Sequence, residues 1–302
     1  VNNMQGKMAP YMILLAAILW GTTGTAQALA PEAAHPIAIG TIRLVVGGLF
    51  LLIFAIFTGN LRTTNWPIKA TIVASLSMAL YQPLFFSAVT ITGVAIGTVV
   101  AIGSAPILAG FIEWVFGKKR PSLIWWASTF LSITGCVMLF LNNESIYVDQ
   151  TGILMALGAG LSFAVYTLVS KVIAEKQSSL SAVAVVFTLS AVILSPLLFI
   201  YDLSWLASTG GISVSLHLGI MATGIAYFLF AKGLTHVSSS TGVTLALAEP
   251  LTAALLGVFL LGEYLNVTSW VGISLLLIGI GILIWSSKNA DIKNDKQIEK
   301  GI

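Results

Sequence analysis

The feature that most restricts what this chain can fold into is a succession of apolar runs, each about 20 residues long, the length at which an α-helix crosses roughly 30 Å of hydrocarbon. Windows bounded by Gly, Pro, Asn and charged residues place helices near 10–30, 36–58, 68–91, 94–116 and 122–141, and again near 151–172, 180–201, 212–233, 239–261 and 267–287. Composition agrees that lipid, not water, is the solvent. Only 8% of the 302 residues are charged and 57% are hydrophobic, where a soluble domain carries roughly 25% charged residues, and the mean hydropathy is +0.98.

Charge then orients the helices. With the N-terminus in the cytoplasm, Lys7, Arg62, Lys69, Lys118, Lys119, Arg120, Lys171, Lys176, Lys232, Lys288, Lys293, Lys296 and Lys300 all fall on the cytoplasmic side. Of the 14 Lys and Arg residues, Arg43 alone lies inside a span. The opposite loops carry none, so the positive-inside rule predicts an all-α integral membrane protein of ten transmembrane helices with both termini cytoplasmic, in a cell (inner) membrane. Topology thus accounts for the basic balance, and nucleic acid is not expected as a partner. The single cysteine, Cys136, excludes an intramolecular disulfide and a CxxC metal site; neither metal nor cofactor is expected. Lys7, the apolar stretch after it and Ala26-Gln27-Ala28 have signal-peptide character, but the segment is read as a retained first span because the repeat described next needs it.

Thr90 to Gly97 resembles Thr235 to Gly242, and each is followed by an apolar run with a mid-span proline and a glycine near its end. Gly97 matches Gly242, Gly117 matches Gly262 and Trp125 matches Trp270 at one offset, with Pro106 matching Pro250 after a one-residue slip. Five spans per half put the second half upside down relative to the first. Charge agrees: Lys118-Lys119-Arg120 follows Gly117, whereas Glu263-Tyr264-Leu265 follows Gly262. The expected organisation is a cytoplasmic N-terminus over 1–9, a first five-helix repeat over 10–141, an external linker over 142–150, a second repeat over 151–287 and a disordered cytoplasmic tail over 288–302.

With Trp20-Gly21 in span one, Arg43 in span two, Pro106 in span four, Glu249-Pro250 in span nine and Leu261-Gly262-Glu263 at its end, the chain resembles the drug/metabolite transporter superfamily, in particular its EamA-type branch. The likeness covers about residues 10–287; Gly117-Lys118 departs from the Gly-Glu pair such transporters often carry after span four. The resemblance implies five plus five helices around a central cavity that opens alternately to each side, and export of amino acids or other metabolites.

The residues themselves supply candidates for the cavity. Pro106 and Pro250 each delete one helical hydrogen bond and free the carbonyl four residues earlier, at Ile102 and Ala246, bending two helices at one depth. Glu249 stands mid-span, where an ionised side chain costs roughly 3 kcal/mol or more, so it is neutral, paired or wetted. It is a candidate for proton coupling, and facilitated diffusion fits equally. Arg43 lies roughly 10 Å below the outer surface by helical rise and suits an ion pair with Glu249 or the carboxylate of a solute. Trp20, Tyr81, Gln82, Phe85, Phe86, Ser104, Tyr166 and Tyr227 offer aromatic walls with hydrogen-bonding tips for a metabolite-sized solute.

Other features read as structural. Glu113 is expected to pair with Lys118 to Arg120; His35, His217 and His236 have no metal-site spacing. Small residues such as Gly21, Gly97, Ala101, Ala105, Gly160 and Gly279 form seams for close helix packing, within the chain or between copies through the last span of each half, so a monomer or a weak homodimer is expected. Paired His and Asp/Glu groups within spans are missing, which argues against an intramembrane enzyme, and no Walker motif argues for ATP drive. The leading expectation is a secondary transporter exporting amino acids or similar small metabolites; efflux of organic cations, a channel and a non-transporting scaffold are the alternatives.

Overall fold

The computed structural model describes residues 2–61, 64–92, 94–117, 120–140, 149–262 and 264–300. Among these, nine helices are long and apolar enough to cross a membrane, and a shorter apolar helix over Leu123–Leu139 makes a tenth. In chain order they are α1 (Asn2–Ala28), α2 (Pro36–Phe57), α3 (Ile68–Thr92), α4 (Val94–Gly117), α5 (Leu123–Phe140), α6 (Gln150–Ala174), α7 (Ser179–Phe199), α8 (Thr209–Leu234), α9 (Ser239–Leu245 and Ala248–Leu261) and α10 (Val267–Lys300). No strand occurs among the described residues.

Helix starts follow local chemistry. Asp149, Ser178, Ser208 and Ser238 each turn a side-chain oxygen onto an amide of the first helical turn, satisfying a donor that the helix itself cannot. His35 caps α2 through Ile37 N–H, with Pro36 at the first position where no amide is needed. At the far end of α9, Gly262 adopts φ +70°, the left-handed stop that a glycine allows.

Polarity runs inside out relative to a soluble protein. Phe57, Phe116, Phe130, Phe199 and Phe259 face outward, while Thr41, Ser128, Thr129, Thr167, Ser190, Thr223 and Thr244 are buried. Lipid accepts the exposed rings, and several of the buried hydroxyls bond carbonyls one turn back, as Thr167 does to Phe163 and Ser190 to Val186. The most extensive pairings are α3 with α6, α5 with α10, α4 with α6, α2 with α7, and α1 with α8 and α9.

Three expectations need correction. The chain is helical from Asn2, with Pro10 inside α1 rather than at its start. The segment expected to be a disordered tail has helical backbone through Lys300; it holds no Gly or Pro between Gly281 and Lys300, and its Lys, Gln and Glu residues are good helix formers. The two proline-bearing spans also differ. Pro106 sits within an unbroken α4, whereas α9 stops at Leu245 and restarts at Ala248. The Ala246 carbonyl freed by Pro250 is taken up by the Glu249 amide in a tighter turn.

A further departure from regular helix lies in α8, where His217–Ile225 winds as a π-helix. Small residues bring α5 and α10 close: a Cβ added at Gly135 would stand 2.5 Å from the Gly272 carbonyl oxygen. Gly93, Lys118, Lys119, Glu263 and the 141–148 segment, including most of the expected external linker, lie outside the described residues.

Candidate functional site

A cavity of about 40 Å³ lies in the middle of the bundle. α1 contributes Trp20, α2 Arg43 and α3 Tyr81; α4 contributes Ala101, Ile102 and Ala105; α6 adds Phe163, α8 Tyr227, and α9 Val243, Ala246 and Glu249. The two proline-bearing spans both line it, and so do both residues four positions before a proline, Ile102 and Ala246.

The aromatic wall is one connected cluster. Trp20 stands 4.7 Å from Tyr227, 5.8 Å from Phe163 and 5.1 Å from Phe230 by ring centroid, and Tyr81 lies 6.0 Å from Phe163. Trp20 is 3% exposed, and its indole Nε1–H has no partner among the described residues. Burying such a donor unpaired is costly, so the orphan is a feature of the wall that wants an acceptor. Close packing behind it is set by Gly21, where a Cβ would meet Thr252 Cβ at 2.5 Å and the Glu249 carbonyl oxygen at 2.8 Å.

The two expected charges share this cavity but not a hydrogen bond. Arg43, 7% exposed, donates from Nε to Thr223 Oγ1 at 3.1 Å and from Nη2 to the Ala222 carbonyl at 3.4 Å. Both acceptors sit in the π-helical stretch of α8, whose wide turn presents backbone and hydroxyl oxygens sideways. Glu249 is half-buried, and its carboxylate makes no hydrogen bond among the described residues. The direct Arg43–Glu249 ion pair expected from the sequence is therefore replaced by an arginine anchored on α8 and a carboxylate left facing the cavity.

Of the other expected residues, Trp20, Tyr81 and Tyr227 line the cavity. Gln82, Phe85, Ser104 and Tyr166 stand behind its wall. Gln82 is 1% exposed with both amide atoms unpartnered, Phe85 stacks on Tyr81 at 5.6 Å, and the Ser104 hydroxyl donates to the Ala101 carbonyl at 3.2 Å. Tyr166 packs against Tyr227 and Phe187. Sequence alone did not point to Phe163, Ala101, Ala105 and Val243 as lining residues, nor to Thr223 as the arginine's partner. Phe163 and Thr223 each fall in a span beside a candidate tyrosine, Tyr166 and Tyr227, and helical spacing was the signal for them.

Glu113 Oε2 accepts the Ser240 amide at 3.1 Å, at the start of α9, while Lys118 and Lys119 of its expected pairing lie outside the described residues. The first piece of α9 is pinned further by Thr129 to Thr244 at 3.0 Å, and the turn before it by Lys171 Nζ donating to the Val237 carbonyl at 2.7 Å. Val243 of this piece lines the central cavity, and Thr241 lines a second cavity of about 230 Å³ near the start of α1, together with Pro10, Trp125, His236 and Ser238 among others. Among the described residues no cluster of His, Cys, Asp and Glu could hold a metal ion.

Comparison with known proteins matches this architecture throughout. The EamA-like transporter family matches residues 7–141 and again 150–285. An uncharacterized transporter, YwfM, of Bacillus subtilis (strain 168) is 51% identical over 93% of this chain and 95% of its own length. The threonine/homoserine exporter RhtA of Escherichia coli (strain K12) is 28% identical over 96% of this chain and 95% of its own. A crystal structure covering 93% of this chain and 98% of its own superposes with a TM-score of 0.81 at 19% identity, a likeness of fold. Helices of spanning length, a polar hollow between them and two successive family matches make this chain a multi-pass membrane protein that belongs to the EamA-like transporter family.

Proposed function

We propose that the protein is a secondary transporter that exports amino acids or similar small metabolites by alternating access through the central cavity. The observation that carries this reading is the cavity itself: a polar, aromatic-walled hollow at mid-bundle, built from both halves of the chain and lined by both a carboxylate without a hydrogen bond among the described residues and an anchored guanidinium. Its volume of about 40 Å³ accommodates a few waters, not a metabolite, against the ~300 Å³ or more of typical ligand pockets. Loading a solute requires the helices around it to part.

Two inverted five-helix repeats with cytoplasmic termini are part of the proposal. The helix pairings support them: exchanging each span with the one five later turns α3–α6 into α8–α1 and α4–α6 into α9–α1, and returns α2–α7 and α5–α10 to themselves. All of these are major contacts. The consecutive family matches, one per half, and the one-sided distribution of Lys and Arg add to it.

Amino acids as cargo draw support from the exporter RhtA, at 28% identity. Efflux of organic cations, the runner-up, is disfavoured by Arg43, since a buried guanidinium on the wall repels a positive solute. Glu249 is the acid on the wall, so a proton moving with or against the solute would ride there.

Proteoliposomes loaded with labelled amino acids test the pathway. Saturable exchange is expected for the wild type, with loss in Glu249→Gln and Trp20→Ala; equal exchange by all three proteins removes the cavity from the route.

A further inference from the structure

The cavity wall carries groups of opposite and differently satisfied chemistry. Arg43 commits Nε and Nη2 to α8, which fixes the plane of its guanidinium and leaves Nη1 unspent. Trp20, on the same wall, holds a buried indole N–H with no acceptor among the described residues. Both are donors, and one is permanently positive; their natural complement is a carboxylate. The wall also carries acceptors: Glu249 offers a carboxylate free of hydrogen bonds among the described residues, and the Ile102 carbonyl has lost its i+4 donor to Pro106. Their complement is an ammonium group. Tyr81, Phe163 and Tyr227 complete the wall with aromatic rings, the two tyrosines adding hydroxyl tips.

We infer that the cavity is a zwitterion site: it takes a neutral α-amino acid with the carboxylate on Arg43 and Trp20 Nε1 and the ammonium on Glu249 and the Ile102 carbonyl, and it discriminates by net charge. The inference rests on the transport reading and deepens it. The reason for charge selection is electrostatic. In a water-poor hollow, one positive and one negative wall group are both compensated only by a solute carrying both signs. A cationic amine leaves the guanidinium uncompensated, and an anionic acyl derivative does the same to the carboxylate. The Trp20 indole N–H, buried on the wall without an acceptor among the described residues, is a donor that a bound carboxylate would satisfy.

The full-length protein in proteoliposomes decides this with a panel of labelled L-threonine, alanine, leucine and phenylalanine. Exchange of the preferred member is challenged by unlabelled parent, by its carboxamide, which is a cation, and by its N-acetyl derivative, which is an anion. For the wild type, the parent is expected to compete at least about tenfold better than either derivative, since an unmet buried polar group penalises the analogue. Glu249→Gln should lose parent exchange and shift relative preference towards the N-acetyl derivative, Arg43→Gln towards the carboxamide, and Trp20→Phe should weaken the parent while keeping the ring stack. Equal competition by carboxamide and parent in the wild type, or unchanged charge preference in a folded Glu249→Gln, overturns the zwitterion assignment while leaving transport intact. Saturable exchange of cations alone does the same. No saturable exchange of any probe by the wild type overturns the transport reading, and the inference with it. If a variant fails to fold, the wild-type competition ratio alone decides between the two outcomes.

Discussion

Gly21 shows how narrow the tolerance is around the cavity. Its missing Cβ lets α1 lie against the Glu249 carbonyl and Thr252 on α9, so Gly21→Ala is expected to push the helices apart, cost about 1–3 kcal/mol of stability and abolish exchange. Gly24, one turn on, has nothing within 4 Å of such a Cβ, and Gly24→Ala should transport as the wild type does; thermal unfolding in detergent beside exchange rates measures both. Thr223→Val tests the arginine anchor. It removes the acceptor of Arg43 Nε and is expected to cost about 1–3 kcal/mol through the unpaired donor, with slower exchange in the same assay. The residues legible from sequence were those whose chemistry is out of place in lipid. Arg43 and Glu249 are charged, and Trp20, Tyr81 and Tyr227 are amphipathic. Phe163, Ala101, Ala105 and Val243 line the same cavity, yet an apolar residue in an apolar span carries no mark of which neighbour it will face. Gln82 and Ser104 misled for the opposite reason: small polar groups are also tolerated in seams between helices.

At the level of the element, the two proline spans promise equal behaviour and do not deliver it. Pro250 breaks α9 into two pieces, whereas α4 passes Pro106 unbroken. Pro250→Ala restores an amide where the helix is interrupted, and is expected to straighten α9 and slow exchange more than Pro106→Ala does; parallel rate measurements on the two variants check the order. The first piece of α9, only seven residues from Ser239 to Leu245, depends on outside contacts. Removing the cap in Glu113→Ala should destabilise by about 1 kcal/mol and, in an Ala246→Cys background, raise the reactivity of the new thiol. That Glu113 finds the Ser240 amide 127 residues away was not readable from sequence. A local charge run beside it offered a nearer partner, and only the tertiary fold brings α9 within reach. The π-helical stretch of α8 was equally silent, because i+5 bonding has no periodicity that a sequence displays at this length.

At the scale of the whole molecule, helix number and spacing were plain in the sequence because each span must be long and apolar. How they pair is set by glycines and side-chain shape, which the sequence displays only weakly. Inverted halves make a sharp prediction: the new thiols of Arg120→Cys and Tyr264→Cys, just after Gly117 and just after the Gly262 turn, should react with a membrane-impermeant maleimide from opposite faces of the bilayer. Labelling of both from one face ends the two-repeat arrangement. The experiment needs no preparation of its background. Cys136, the lone thiol of the chain, is wholly buried, so the native protein is expected to show no labelling by hydrophilic thiol reagents. Every engineered cysteine can therefore be read as the sole reporter, on a molecule whose interior has not been altered to make it so.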